Sequence, residues 1–275
     1  MRTNISFSIV SYKSSQDDLF KLVESIHAAA QHCAEKDINI NVAIQIVNNY
    51  CLEGEMDRLR NAFKNNSVVE IINSKKNGGY GYGNNLSINL NIRKSTYHVV
   101  LNPDVILFKD SLYNFLIYME MHQNIGLLVP KILSPNGMIQ HLCKRNPSFK
   151  IMILRSLGAN LLAKISPKLN NNFLMLDMDY DKEIQGVEYP SGCCLFFRMS
   201  ILEKIGGFDE RYFLHYEDAD IGRKVATCSK TVYRPDVVVT HGWARDTHKS
   251  LKMKIITIIS GFRYLLKWNF ERGNK

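Results

Sequence analysis

The spacing of apolar residues follows two different periods along the first hundred residues of the chain. Residues 38–46 alternate apolar side chains with polar or small ones, the period of two that is typical of a strand. Residues 17–32 place apolar side chains three and four positions apart, which predicts a helix with Ser14 or Ser15 as its N-cap. Similar patterns predict further strands at 5–11, 68–72 and 97–101, and further helices at 53–64 and 84–93.

Strands that alternate with helices in this way indicate an α/β fold. Right-handed βαβ units build a mainly parallel central sheet that is flanked by helices. Ligands of such sheets bind beyond the carboxyl ends of the strands. Polar clusters follow predicted strands at 11–13, 48–49 and 102–104. We therefore expect a functional site at this edge of the sheet.

The second half of the chain is less regular. Its patterns predict a helix at 150–164, a loop-rich stretch at 168–185, a strand at 187–198 interrupted at Pro190-Ser191-Gly192, a helix at 217–228, a strand and turn at 231–240, and a helix at 249–270. No segment rich in Pro, Gly or Ser divides the chain. We therefore predict one domain over 1–248, followed by a basic amphipathic helix over 249–275 that packs on the domain or on a membrane surface.

Positive charge is concentrated at the C-terminal end. The net charge is +9, and about two-thirds of it lies in 249–275, where Glu271 is the single acid. A basic segment of this kind fits nucleic acid or an anionic membrane surface. Arg263 and Lys267 interrupt the apolar stretch, so a membrane-spanning helix is excluded there. Tyr264 and Trp268 fit an interfacial helix, and equally a helix packed on the domain.

The cysteines and the first residues indicate a cytosolic protein. The six cysteines show no metal-ligand spacing, and the adjacent Cys193-Cys194 pair is awkward for a disulfide. Residues 1–8 contain one basic residue and no long apolar stretch, so we expect no secretory signal. Reduced thiols are the corresponding expectation.

Residues 77–84, Asn-Gly-Gly-Tyr-Gly-Tyr-Gly-Asn, form a glycine-rich segment before a predicted helix. Such a backbone approaches a ligand closely and presents its N–H groups, although a flexible turn has the same composition. The segment lacks the Gly-Lys-Ser/Thr of a Walker loop and the spacing of a dinucleotide loop. Taken alone, it is weak evidence for a phosphate site.

Two acidic clusters and one histidine are the main candidates for chemistry. Asn102-Pro103-Asp104 ends a predicted strand, where Asp104 is placed to hold Mg²⁺ or Mn²⁺; a simple turn is the alternative. Glu217-Asp218-Ala219-Asp220 opens a helix, and these acids either cap it or include a general base in partly apolar surroundings. His241 follows an apolar run and is either a structural histidine or a metal ligand.

Several short segments occur in a specific order over nearly the whole chain. They are Ile9-Val10-Ser11-Tyr12-Lys13, Val47-Asn48-Asn49, Asn77-Gly78-Gly79 through Asn84-Asn85, Leu101-Asn102-Pro103-Asp104, Ser191-Gly192-Cys193-Cys194, Gly206-Gly207-Phe208-Asp209-Glu210, Phe213, Glu217-Asp218-Ala219-Asp220 through Arg223, and His241. In this order they resemble the inverting family-2 glycosyltransferases with the GT-A fold, in particular their bacterial rhamnosyltransferase-like branch. Each segment is common alone, but the ordered set is specific.

The resemblance implies a role for each matching residue. Asp104 and His241 would bind Mg²⁺ or Mn²⁺, Asp218 would be the catalytic base, and Glu217 would hold the acceptor. A dTDP- or UDP-linked sugar would contact the following residues: Ser11, Lys13, Asn48, Asn77, Gly78, Gly79, Asn84, Asn102 and Arg223. The residues expected at the acceptor are Gly192, Asp209 and Trp243.

Two positions depart from the family pattern. Asn48 stands where the family usually has Asp, so its hydrogen bond to the nucleotide base would lack charge assistance. The metal motif keeps one acid, Asp104, in place of two, which favours modest metal affinity. The loops at 131–147 and 170–185 are expected to shape the pocket that selects sugar and acceptor.

The expected function is inverting transfer of a sugar, rhamnose as the first choice, to a lipid-linked saccharide in O-antigen, capsule or cell-wall polysaccharide synthesis. The expected location is cytoplasmic and peripheral, at the inner face of the cell membrane, without a nucleic-acid partner. A galactofuranosyl- or other hexosyltransferase is the alternative of the same class. Other classes are a sugar-nucleotide nucleotidylyltransferase, whose glycine- and arginine-rich signature is missing from residues 5–15, and a non-catalytic saccharide-binding module.

Overall fold

The computed structural model of the chain describes residues 2–50, 52, 54–156, 159–242 and 251–270. Its first half contains β1 (Thr3–Ser11), α1 (Gln16–Glu35), β2 (Ile40–Asn48), α2 (Glu55–Phe63), β3 (Val69–Asn73), α3 (Tyr80–Asn91), β4 (Tyr97–Leu101), β5 (Val105–Leu107), α4 (Ser111–Met121) and β6 (Ile125–Leu133). Its second half contains α5 (Phe149–Ser156), α6 (Ala159–Ile165), α7 (Pro167–Phe173), β7 (Ile184–Gln185), β8 (Cys194–Arg198), α8 (Met199–Ile205), α9 (Glu217–Ala226), β9 (Lys230–His241) and α10 (Leu251–Leu265). A π-helical segment, Leu266–Phe270, continues α10.

The strands form one mixed sheet in the order β3-β2-β1-β4-β8-β6-β9-β5, with β7 paired to β9. Strand β1 is parallel to β2 and β4, and β2 is parallel to β3. Strand β8 is antiparallel to β4 and β6, while β6 is parallel to β9. Strands β6 and β9 therefore run in the same direction as β1 to β4. The mainly parallel central sheet predicted from the sequence is confirmed.

Apolar side chains cover both faces of this sheet. On β4, Val99 and Leu101 belong to the cluster that contains Leu22 of α1, whereas Val100 belongs to the cluster that contains Ile88 of α3. Neighbouring residues alternate between the two clusters because successive side chains of a strand point to opposite faces. The fold therefore has a helical layer on each face, and burial of these two clusters is its main source of stability.

The predicted strands and the first two predicted helices lie within a few residues of their observed positions over the first hundred residues. The side chain of Ser15 caps α1 by accepting from the Asp18 N–H at 3.4 Å, as predicted. Helix α3, however, begins at Tyr80, earlier than predicted. A Cβ at Gly83 would lie 2.8 Å from the Val10 side chain, so this glycine lets the first turn of α3 approach β1. Five of the eight residues of the glycine-rich segment therefore belong to the helix.

Residues 174–183 of the predicted loop-rich stretch 168–185 form turns and loop, but the stretch is not loop throughout. This stretch contains most of α7 and the short strand β7. Pro167 in the first turn, directly after Ser166, is a start signal for α7, and Phe173 packs it against Ile151 and Leu162. The helix predicted at 150–164 falls on α5 and α6, and the strand predicted from 187 begins only at Cys194.

A buried carboxylate anchors the C-terminal helix to the domain. Asp220 of α9 is fully buried and accepts from Lys267 Nζ at 2.8 Å and from Trp268 Nε1 at 2.7 Å. Lys267 Nζ also lies 2.7 Å from Asp209 Oδ2. Burial alone would raise the pKa of Asp209, but hydrogen bonds from Arg211 and Lys267 hold it well below its usual range. The π-helical segment is thus tied to α9 by charge-assisted hydrogen bonds.

The inner face of α10 is packed on the domain rather than exposed. Tyr264 and Trp268 are buried in a cluster with Tyr212 and Ala219. The predicted boundary at 248/249 lies outside the described residues and stays a prediction. None of the helices in the described ranges is long and apolar enough to cross a bilayer.

We predict that Asp220→Ala lowers the free energy of unfolding by about 3 kcal/mol, because it leaves buried donors on Lys267 and Trp268 without their acceptor. Urea unfolding followed by circular dichroism measures this change. Glu203→Ala is the matched control, since its partner Arg93 is 85% exposed and such pairs contribute less than about 1 kcal/mol. Equal losses in the two variants would contradict the anchoring role of Asp220.

Candidate active site

A cleft of about 970 Å³ opens at the carboxyl ends of the parallel strands. Several of the residues that line it are candidates from the sequence analysis. These lining residues are Lys13, Asn102, Asp104, Gly192, Glu217, Asp218 and His241. The topology explains why residues so distant in sequence meet there. Strands β4 and β9 end at this edge, and the antiparallel strand β8 begins at it.

Asp104 and His241 are brought together by the pairing of β5 with β9. Val105 lies opposite His241 in this antiparallel ladder, so Asp104 stands beside the imidazole. The Asp104 Oδ1 to His241 Nε2 distance is 3.4 Å. A Cβ at Gly242 would lie 3.3 Å from Asp104 Oδ2, so a larger residue at that position would crowd the carboxylate.

The second nitrogen of the His241 ring is also held in place. His241 Nδ1 lies 3.2 Å from Gln140 Oε1, and Gln140 Nε2 donates to the His241 carbonyl at 2.8 Å. In the tautomer with the proton on Nδ1, the ring donates to Gln140 and its Nε2 lone pair faces Asp104. A hydrogen bond of this kind to the far ring nitrogen is the usual support of a metal-binding histidine.

These residues fit a divalent cation of the predicted kind. The described residues contain no group of three or more His, Cys, Asp or Glu side chains that could hold a metal ion. A site built on Asp104 and His241 therefore depends on the diphosphate of a substrate and on water for its remaining ligands. One carboxylate and one imidazole suit Mn²⁺, and carboxylate with phosphate oxygens suits Mg²⁺.

Asp218 and Glu217 occupy the start of α9 but have different environments. Asp218 Oδ1 accepts from the Ala219 N–H at 3.0 Å, and its Oδ2 accepts from the Gly192 N–H at 3.3 Å. These bonds fix the carboxylate at the wall of the cleft. Glu217 is 6% exposed, and its Oε2 is buried without a hydrogen-bond partner among the described residues.

Burial, together with the negative charge of Asp218, raises the pKa of Glu217 well above its usual range. A buried carboxyl next to another carboxylate is stabilised in its protonated form. Glu217 is therefore suited to donate a hydrogen bond, whereas Asp218 is the carboxylate that faces the cleft and can accept a proton. The acidic cluster thus contains two acids with distinct chemistry at the site and a third, Asp220, in the structural anchor.

The first part of the glycine-rich segment is used for packing. Gly79 has φ +90°, and a Cβ there would lie 2.0 Å from the Phe213 carbonyl oxygen. This close approach lets the Tyr80 N–H donate to the same carbonyl at 3.1 Å. Tyr80 Oη in turn donates to the Gly192 carbonyl at 2.5 Å. Tyr80, which the sequence reasoning missed, therefore joins this segment to the wall that holds Asp218.

Asn77, Gly78 and Asn84 of the segment are not among the residues that line the cleft. A Cβ at Gly78 would lie 2.3 Å from the Tyr82 ring. Asn77 Oδ1 accepts from Asn49 Nδ2 at 3.1 Å, and the buried Asn84 accepts from Ser8 Oγ at 2.6 Å. Contact of Asn77, Gly78, Gly79 and Asn84 with a nucleotide sugar stays a prediction.

Ser11 and Asn48 end neighbouring parallel strands and lie opposite each other in the ladder. Ser11 Oγ is buried with no hydrogen-bond partner among the described residues. The Asn48 amide donates to Asn73 Oδ1 at 3.2 Å and accepts from the Tyr50 N–H at 3.1 Å. Lys13 lines the cleft, with Nζ 4.9 Å from the Tyr50 ring centroid. The polar edge expected at these strand ends is present.

Arg223 and Asp209 are two further candidates that do not line the cleft. Arg223 lines a separate cavity of about 520 Å³, and its guanidinium lies 4.7 Å from the Trp268 ring. Asp209 belongs to the anchor of the C-terminal helix. Trp243 lies outside the described residues. The described contacts of Arg223 and Asp209 therefore connect them with the C-terminal helix and not with a substrate.

Two cationic residues of the cleft have no signal in the sequence. Lys144 and Arg155 line the cleft, and their charged groups lie 4.4 Å and 5.2 Å from the rings of Tyr189 and Phe173. Neither takes part in an ion pair within the described residues. Burial lowers the pKa of Lys144, and the negative charge of Asp218 opposes this effect. Lys144 lies in the 131–147 loop, but no pattern distinguishes it there from a solvated lysine.

The chain is similar in sequence to glycosyltransferases. It is 24% identical over 224 residues to the low-salt glycan biosynthesis hexosyltransferase Agl10 of Haloferax volcanii, which covers 80% of this chain and 61% of that protein. It is 29% identical over 186 residues to the N-acetylglucosaminyl-diphospho-decaprenol L-rhamnosyltransferase of Mycobacterium tuberculosis, which covers 63% of this chain and 59% of that protein. The chain thus spans about three-fifths of the length of these curated relatives. None of the family models compared with the chain matches it.

Solved structures show the same fold at low identity. TarS residues 1–349 of S. aureus has a TM-score of 0.57 at 13% identity and covers 99% of this chain and 76% of that chain. The mannosyltransferase PcManGT of Pyrobaculum calidifontis, in complex with GDP-Man and Mn²⁺, has a TM-score of 0.56 at 12% identity and covers 98% and 71%. These likenesses confirm the GT-A fold that the ordered segments indicate, and they show that the chain is similar in sequence to glycosyltransferases.

Proposed function

We propose that the chain transfers a sugar from a nucleotide diphosphate sugar to a lipid-linked saccharide, with inversion at the anomeric carbon. The observation that carries this proposal is the convergence of Asp104, His241 and Asp218 on one cleft. In a single displacement, a metal ion would act on the leaving diphosphate and a base on the attacking hydroxyl. Asp104 and His241 would hold the metal ion, and Asp218 would be the base. A module that only binds saccharide has no need of this set.

Asp104 and His241 would hold Mg²⁺ or Mn²⁺, which stabilises the negative charge that develops on the leaving diphosphate. Ser11, Lys13, Asn48 and Asn102 lie at the strand ends where the nucleotide of such a donor would bind. The PcManGT structure, which contains GDP-Man and Mn²⁺, supports a divalent ion in this fold.

Asp218 takes the proton of the acceptor hydroxyl as the oxygen forms its bond to the anomeric carbon. The bond between that carbon and the diphosphate oxygen breaks on the opposite face, so the configuration inverts. The diphosphate leaves with its electron pair and needs no proton from the protein. Glu217, held neutral by burial, donates a hydrogen bond that orients the acceptor.

The part of the cleft that contains Lys144 and Arg155 suits an acceptor that carries a diphosphate and an apolar chain. Lys144 and Arg155 supply two cations without partners in the described ion pairs, and Ile151, Met152 and Phe173 supply apolar surface beside them. The name of the mycobacterial relative specifies an acceptor of this chemistry, a decaprenol diphosphate bearing a sugar.

Rhamnose, from a dTDP- or UDP-linked donor, is the sugar that we propose first, because the mycobacterial relative is named as a rhamnosyltransferase. A galactofuranosyl- or other hexosyltransferase is the second candidate, since the archaeal relative is named as a hexosyltransferase. We place the reaction in O-antigen, capsule or cell-wall polysaccharide synthesis, at the cytoplasmic face of the cell membrane. Product formation from a panel of nucleotide sugars on a lipid-diphosphate saccharide distinguishes the two candidates.

We predict that Asp218→Asn lowers the rate of transfer by about 10²- to 10⁴-fold, because the amide cannot accept the proton of the acceptor hydroxyl. Binding of Mn²⁺ and nucleoside diphosphate, measured by calorimetry, should be unchanged. The amide has the same shape and keeps a hydrogen-bond acceptor for one of the two backbone N–H groups, those of Ala219 and Gly192, that hold the carboxylate. Normal turnover in this variant would exclude Asp218 as the base.

Asp104→Asn is the matched comparison at the other end of the site. We expect it to weaken Mn²⁺-dependent binding of the nucleoside diphosphate, and chelation of the metal should have the same effect on the unsubstituted protein. Identical behaviour of the Asp104 and Asp218 variants in both assays would contradict the division of roles.

We predict that Lys144→Met raises the KM for a lipid-diphosphate acceptor by about tenfold, since one charge-assisted contact to the diphosphate is lost. The Kd for the nucleotide should stay within about twofold of that of the unsubstituted protein, a difference of less than about 0.5 kcal/mol. Lys150→Met, at an exposed position outside the cleft, is the control. An unchanged acceptor KM, or an equal loss of donor binding, would place the anion site elsewhere.

We predict that Glu217→Gln stabilises the fold at high pH but not at low pH. The pKa of Glu217 in the folded protein lies above its ordinary value of 4.5. The contribution of this side chain to the free energy of unfolding is therefore fully present below pH 4.5 and is lost as the pH rises through the folded pKa. The neutral amide has no such loss. The free energy of unfolding of the variant, measured at several pH values between about 4 and 9, should exceed that of the unsubstituted protein by an amount that increases with pH. A difference that does not change with pH would show that Glu217 is not held neutral.

A further inference from the structure

Helix α10 has two apolar faces, and only one of them is packed on the domain. Its inner face carries Ser260, Gly261 and Tyr264, all of which are buried. Ile255, Ile258, Ile259 and Phe262 are between 47% and 62% exposed on the opposite side. Leu266, in the following π-helical segment, is also exposed. A surface helix of a globular protein ordinarily directs polar residues outward, so this outer face is unusual.

The exposed residues form one stripe. Their spacing of three and four places them on a single side of the helix, about a quarter to a third of its circumference wide. At about 3.6 residues per turn, Lys252 and Arg263 fall along one border of the stripe and Lys254 along the other. Helix α10 contains no acidic residue. The outer face is therefore an apolar stripe bordered on both sides by cations.

We infer that this outer face binds in the plane of an anionic bilayer, with the stripe inserted at the boundary of headgroups and acyl chains. A second copy of the chain is the competing occupant of such a surface. An isologous dimer through α10 would bring the Lys252, Lys254 and Arg263 borders of two copies together, which is unfavourable. Anionic lipid headgroups match these borders, while the acyl region takes the apolar stripe.

Insertion of the apolar stripe, rather than attraction by charge, would then supply most of the membrane contact. A basic segment held by charge alone is released by salt, whereas an inserted apolar stripe is not. Transfer of Ile258 and Phe262 from water to the acyl boundary supplies the larger part of the affinity. The cations select anionic membranes and orient the helix.

Helix α10 also forms part of the cleft. Thr257 lines the cleft, Ser260 Oγ donates to the Leu214 carbonyl at 2.9 Å, and the ring of Tyr264 lies 5.5 Å from that of Tyr216. Binding of the outer face would thus hold one wall of the cleft at the membrane surface. This consequence rests on the proposed function, because only a lipid-linked acceptor needs that placement. The binding itself does not depend on it.

Sedimentation with vesicles tests the inference without substrate or turnover. Vesicles of phosphatidylcholine with phosphatidylglycerol are compared with vesicles of phosphatidylcholine alone. The double variant Ile258→Asp/Phe262→Asp should bind the anionic vesicles at least about tenfold more weakly at low and at high salt, because each side chain buried in an apolar phase is worth about a factor of ten or more. Lys252→Gln/Lys254→Gln should bind more weakly at low salt and lose the preference for anionic lipid.

Met121→Asp is the matched control, since Met121 is 73% exposed on α4 and lies far from α10 in the sequence. It should bind vesicles as the unsubstituted protein does. Phe262→Trp adds a test that introduces no charge: its added emission should shift to the blue on vesicles and be quenched by brominated acyl chains. Near-native circular dichroism of each variant confirms that the fold is retained.

Unchanged vesicle binding by Ile258→Asp/Phe262→Asp, or an added emission in Phe262→Trp that brominated lipid does not quench, would overturn the inference. A concentration-dependent dimer in solution that the same double variant abolishes would assign the stripe to a second copy. Failure of the proposed function has a different signature, because vesicle binding would then persist in a chain that transfers no sugar. Transfer to a short-chain, water-soluble acceptor analogue should be equal in the variant and the unsubstituted protein.

Discussion

The buried Asp220 carboxylate is the interaction on which the C-terminal part of the structure depends. It fixes the π-helical segment because Lys267 and Trp268 both donate hydrogen bonds to it, and a buried polar group needs such partners. This contact sets the position of α10, whose Thr257 lines the cleft. Asp218, in the same first turn of α9, faces that cleft. The first turn of α9 therefore connects the C-terminal helix with the wall of the cleft that contains Asp218.

The direction of the strands determines the other half of the site. Asp104 and His241 are far apart in sequence, yet each lies at a strand end on the same edge of the sheet. Strand β8 runs in the opposite direction, so Gly192 precedes it at that edge and its N–H reaches Asp218. A mixed sheet thus brings strand ends and a strand start to one place, which a fully parallel sheet would not do. The reversed direction of β8 thus brings Gly192, and with it Asp218, to the edge of the sheet where Asp104 and His241 lie.

Much of this arrangement follows from the sequence, and the exceptions have physical causes. The alternation in β2, the helical spacing in α1 and the polar residues after β1, β2 and β4 are local signals, and they predict the first hundred residues well. Asp209 and Arg223 have no local signal that separates a substrate contact from a contact with the C-terminal helix, because their partners lie far along the chain. The glycines at 79 and 83 resemble those of a phosphate-binding loop in the sequence alone. Glycine is needed where the backbone approaches Phe213 or Val10 closely, and it would equally be needed where the backbone approaches a ligand. Lys144 carries no pattern at all, since only the folded cleft shows that it lies near Asp218.

The acidic cluster of α9 shows how one helical turn produces three kinds of carboxyl group. Asp220 is fully buried, and Lys267 and Trp268 both donate hydrogen bonds to its carboxylate oxygens. Glu217 is equally hidden, but no described donor reaches its Oε2, and the charge of Asp218 further favours its protonated form. Asp218 has two backbone donors and an open cleft in front of it, so it combines a fixed position with access to a substrate. Composition alone cannot separate these roles, because helix capping, ion pairing and base catalysis all favour acids at a helix start. Their separation requires the distances that only the fold supplies, and those distances distinguish Asp218, which is fixed by two backbone N–H groups at the cleft, from the buried Glu217 and from Asp220 in the structural anchor.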